Sequence, residues 1–68
     1  DSAITTSVKA RFVENTSVDA SAISVETMKG TVMLSGFAKN ATEKSTAESI
    51  AMKVPGVVAV KNVIAVRP

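Results

Sequence analysis

At 68 residues and 7.0 kDa the chain has room for one domain, residues 1–68, which buries only roughly 60% of the surface its unfolded chain exposes, so its stability is modest. The absence of Cys and His excludes a disulfide framework, a thiolate site and the commonest metal ligand and general base, while 46% hydrophobic with 3% aromatic residues leaves Val, Ile, Leu, Ala and Met to fill a core. A net charge of +2 is mildly basic and well short of a dedicated nucleic-acid binder, and no apolar run approaches the roughly 20 residues of a membrane-spanning helix.

The chain begins at Asp1 and not Met, without a basic and then apolar leader, which points to a processed protein or an excised domain. Asp1 or Ser2 is suited to cap a first helix over Ser2 to Val13, where Ile4, Val8 and Phe12 recur every four residues as one apolar stripe. Glu14 to Ser21 is a polar loop whose Val18 and Ala20 tuck under the sheet. Ala22 to Glu26 alternates as a half-buried strand, with Ile23 and Val25 on one side. Thr27 to Gly30 forms a turn, and Thr31 to Phe37 returns antiparallel, with Val32, Leu34 and Gly36 inward and Thr31, Met33, Ser35 and Phe37 outward. Gly36 is expected inward so that a helix backbone can approach closely.

Asn40-Ala41-Thr42-Glu43 is a capping-box variant, with Asn40 as the cap and Glu43 reaching back to it. It opens a second helix whose Ala47, Ile50, Ala51 and Val54 form one core-facing stripe, and Pro55-Gly56 stops that helix. Ten residues rich in β-branched side chains, Val57 to Val66, then form a third strand. Val58, Val60, Ile64 and Val66 share one side of it with Asn62, and Val57, Ala59, Lys61, Val63 and Ala65 share the other. A polar Asn62 in an apolar face should find backbone partners at a bulge, since burying it unpaired costs about 1 to 3 kcal/mol. The preference for right-handed crossovers sets the third strand parallel to the second. The predicted fold class is α+β, an αββαβ two-layer arrangement in which a three-stranded mixed sheet carries two helices on one face.

Little in this chain could do chemistry. The carboxylates are scattered singly, without metal-ligand spacing, and a hydroxyl nucleophile has no His to activate it. Gly30 and Gly36 lack the following Lys-Ser or Lys-Thr of a phosphate-binding loop, and no Gly-x-x-Gly clamp for a nucleic-acid backbone is present. Lys9 and Arg11 lie about 200° apart around the first helix, so no basic stripe forms. No catalytic residue, metal, cofactor, nucleic acid or small-molecule substrate is therefore predicted. What remains is the uncovered sheet face, where Met33, Phe37 and Val63 stand outward beside Lys61 and Glu26 as an apolar patch with charged neighbours.

Taken together, Ile23-Ser24-Val25, the run Gly30 to Gly36, Ala47-Glu48-Ser49-Ile50-Ala51 and the run Val54 to Val66 resemble the BON domain family, named for bacterial OsmY and nodulation proteins. The likeness covers essentially the whole chain, through V-x-L-S-G, A-x-x-I-A and G-V-x-x-V-x-N in order. It departs at Lys29-Gly30, where family members often carry Asn-Gly or Asp-Gly. The resemblance implies an αββαβ fold and a non-enzymatic role in the bacterial periplasm or outer envelope, often as tandem copies, with phospholipid binding and protection against osmotic shock. The expected partner is a phospholipid membrane surface or another envelope protein or BON domain. The alternative is a protein-protein module docking through the open sheet face. Gly36, Gly56 and Asn62 match recurrent family positions and are expected to serve the fold.

Overall fold

The computed structural model describes residues 2–67; the cap expected at Asp1 lies outside them. In chain order it contains helix α1 (Ser2–Glu14), a 3₁₀ turn (Ala20–Ala22), strands β1 (Ile23–Met28) and β2 (Thr31–Ala38), helix α2 (Ala41–Met52), and strands β3 (Ala59–Asn62) and β4 (Ala65–Val66). β1 and β2 pair antiparallel, and β3 and β4 both run parallel to β2 on its other side. Both helices cover one face of this mixed sheet, as the α+β reading requires.

The core follows the predicted stripes. Val8 and Phe12 of α1, Ala47 and Ala51 of α2, and Val54 meet Ile23, Val25, Val32, Leu34 and Ile64 of the sheet side. Each large side chain buried here contributes roughly 1.5 to 3 kcal/mol, which a domain of this size cannot spare. Val18 is buried in the loop after α1 and Ala20 packs half-buried beside it.

The β1–β2 turn is tighter than expected. Met28 pairs with Thr31, so only Lys29 and Gly30 form the loop, with φ of 51° and 81°. Two positive φ values define the hairpin turn whose twist suits the flanking strands. Gly36 also departs from its expected reason. A Cβ there would overlap the Ala22 carbonyl oxygen, so the close neighbour is the 3₁₀ turn entering β1 and not a helix backbone. Its φ of 118° disfavours any side chain independently.

The third strand, expected as one run over Val57–Val66, is two short pieces in a single register. Thr31 faces Ala59 and Phe37 faces Ala65, both 28 positions apart, so no residue is inserted where pairing lapses at Val63 and Ile64. Asn62 accounts for the lapse. Its Oδ1 accepts the Ile64 N–H at 3.1 Å, and its Nδ2 donates to the Lys44 carbonyl of α2 at 3.0 Å and to Glu48 Oε1 at 3.2 Å. One side chain thus supplies the backbone partners that its position demanded and ties the sheet edge to α2. The alternation of faces persists across the break. Val58 is the exception at 76% exposure, because the chain joins the sheet only at Ala59 and Val57 packs against the core instead.

Candidate functional site

The register fixes what stands on the face away from the helices. Met28, Thr31 and Ala59 form a cross-strand row, followed by Glu26, Met33 and Lys61, then Ser24 and Ser35, then Phe37 and Ala65. Val63 continues the Ser24–Ser35 row.

The four outward residues singled out from the sequence fall into two clusters. Met33 and Lys61 come together in a shallow groove of about 380 Å³ at the hairpin end, with Met28 and Thr31 in its wall and Glu26 and Lys29 at its rim. Val63 stands level with the serine row and Phe37 one row beyond it, Phe37 lying roughly 13 Å along the strand from Met33 at about 3.3 Å per residue. Phe37 is 46% exposed, with the Arg67 guanidinium 4.3 Å from its ring centroid, a cation–π contact. Lys29, Lys61 and Arg67 set positive charge around this surface against the single acid Glu26.

Gly36, Gly56 and Asn62 lie elsewhere and frame the fold. Gly56 sits in the connection from α2 to β3, where a Cβ would come 3.3 Å from Ile4 Cδ1 of α1.

The acids with displaced titration are on the helix side. Glu43, 4% exposed, accepts the Asp19 N–H and the Lys39 N–H, both at 2.8 Å. These two donors, Asp19 first, hold its carboxyl below the ordinary 4.5. The carboxylate therefore does not return to Asn40 as a capping box predicts; it reaches Lys39, one residue earlier, and bridges to the loop after α1. Asn40 itself caps α2, its Oδ1 accepting the Glu43 N–H at 2.8 Å. Asp19 is lowered by the Ser21 hydroxyl and N–H, at 2.6 and 3.1 Å. Both carboxylates are thus committed to local donors. Among the described residues, no group of three or more His, Cys, Asp or Glu is placed to hold a metal ion, and no helix is long and apolar enough to cross a membrane. The arrangement suits noncovalent adhesion, with apolar side chains exposed among cations.

Met28, Lys29 and Arg67 belong to this surface and were not among the residues singled out. A two-residue turn at Lys29-Gly30 would have extended β1 to Met28. The parallel offset of 28 would have placed Arg67 two positions beyond Ala65 on the face of Phe37.

Comparison with known proteins follows the fold. A family model described as BON domain matches residues 1–68. The osmotically-inducible protein Y of Escherichia coli (strain K12) is 40% identical over 62 residues, covering 91% of this chain and 31% of that protein. The chain thus spans about a third of the length of that curated relative.

Proposed function

We infer the function from one premise: the chain belongs to the BON domain family. On that premise it is a non-enzymatic periplasmic module of the bacterial envelope that adheres weakly to anionic phospholipid surfaces. Its likeness to the osmotically-inducible protein Y supports a link to osmotic or envelope stress. The observation that carries the reading is the uncovered sheet face, where Met28, Met33, Phe37 and Val63 stand among Lys29, Lys61 and Arg67. Apolar groups suit the headgroup boundary, and each cation near an anionic surface contributes about 1 kcal/mol. Lys61 and Arg67 alone give about 2 kcal/mol, roughly thirtyfold in partitioning, which is weak for one copy. A linked pair gains further through effective concentration.

The test is co-sedimentation with vesicles of anionic and of zwitterionic lipid at low salt, for one domain and for a linked pair. Adhesion to the anionic vesicles alone, falling as salt screens the charges, is expected. A Met33→Ser, Phe37→Ser variant should lose it. Failure of the wild-type chain to sediment in either form contradicts the reading. Unchanged lipid binding by that variant, with loss of contact between linked domains, assigns the face to protein-protein docking instead.

A further inference from the structure

The sheet has a second unoccupied feature, its β1 edge. Among the described residues, the strand order leaves β1 with a neighbour on one side only. Met28 closes a two-residue hairpin loop with Thr31, so the antiparallel alternation turns the N–H and C=O of Val25 and Thr27 outward, away from β2. Natural edges of this kind are blunted by proline, bulges or inward-pointing charge. β1 carries none of these: its inward residues are Ile23, Val25 and Thr27, and Glu26 faces the open side.

A groove of about 750 Å³ lies along the first part of this edge, with Ile23 to Glu26 on the strand side, Lys9, Phe12 and Val13 of α1 on the other, and the loop from Asn15 to Ser21 in its wall. The helix is anchored over the strand by the Thr5–Thr27 hydroxyl bond at 2.8 Å and by buried Phe12. Val13, by contrast, is 73% exposed, an apolar side chain standing at the groove.

We propose that this groove receives an extended peptide segment, which adds to the free edge of β1 as a further strand. Backbone pairing with Val25 and Thr27 supplies the affinity, and alternate side chains supply the choice of partner. Inward positions of the segment lie under Phe12 and Val13 and are apolar. The outward position beside Glu26 is Lys or Arg, because the direct cross-strand neighbour of Glu26 on β2 is the neutral Met33, with Lys61 one strand further, so a cation directly opposite it on the added strand is favoured. An added strand stands beside Glu26 at the margin of the open face, so peptide binding is read at the Val25 and Thr27 amides and lipid adhesion by vesicle co-sedimentation, each with its own outcome.

The probe is the blocked peptide Ser-Val-Thr-Val-Lys-Val-Ser, followed by amide NMR shifts and hydrogen exchange of the ¹⁵N-labelled chain. Saturable shifts and slowed exchange at the Val25 and Thr27 amides are expected, and N-methylation of the three peptide Val residues should abolish them. Replacing the peptide Lys with Glu should weaken binding about fivefold, and Glu26→Lys should reverse that preference. Val13→Glu, at an exposed position, should weaken binding with the fold intact by circular dichroism. No saturation at these amides by about 5 mM peptide, or equal binding of the N-methylated peptide, overturns strand addition. An unchanged preference in Glu26→Lys overturns the assigned partner chemistry.

Discussion

Gly36 is held by two constraints at once, a φ of 118° and the Ala22 carbonyl oxygen lying where a Cβ would project. Gly36→Ala should cost about 3 kcal/mol or more, and a thermal melt followed by far-UV circular dichroism should drop by about 15 °C or more. Lys29 is the opposite case, a side-chain-bearing residue at φ 51° in a turn that favours Asn or Gly. Lys29→Asn should stabilise by about 0.5 to 1 kcal/mol and raise the same melt by about 3 to 6 °C; an unchanged or lower midpoint contradicts this account of the turn. At this scale the sequence was informative about which residues are special and less so about why. A glycine announces a constraint, but the overlap at Gly36 comes from a 3₁₀ turn 14 positions earlier that no local pattern predicts.

Among the elements, α2 and the loop after α1 are joined by Glu43. Its capping motif was legible, since Asn40 and Glu43 stand at the required spacing. The bridge to the Asp19 N–H was not, because it depends on how the loop folds back over the helix start. The carboxylate is buried at this junction. Its folded pKa is lowered, so its contribution is complete above the ordinary 4.5 and is lost as pH falls through the lower folded value. Glu43→Gln should therefore cost about 1 to 2 kcal/mol at pH 7. The gap from wild type in urea midpoint should begin to close as pH falls below the ordinary 4.5 and go on closing at lower pH. A gap that stays constant with pH would show that the ionised form does not hold this junction. The third strand offers the same lesson: β-branched composition located it and set its faces, while the pairing break needed the Asn62 contacts to Lys44 and Glu48 across the layer.

At the scale of the whole molecule, two helices and a short sheet make two layers, so among the described residues one sheet face has no cover. That much followed from the element order and the apolar stripes. The composition of the face was only half legible. Alternation alone placed Met33, Phe37, Lys61 and Val63 outward, but the serine row that separates Met33 and Lys61 from Phe37, and the cations Lys29 and Arg67, emerge from the register between strands. The proposed adhesion depends on this face and not on the helices. Because the chain contains no Cys, an introduced thiol can carry a polarity-sensitive fluorophore at one defined place. The most direct measurement compares Ser35→Cys on the open face with Ser45→Cys on exposed α2, each labelled and mixed with anionic vesicles at low salt. The account predicts a blue shift and shielding from aqueous quencher at position 35 alone; a shift at position 45 alone, or at neither position, would contradict it.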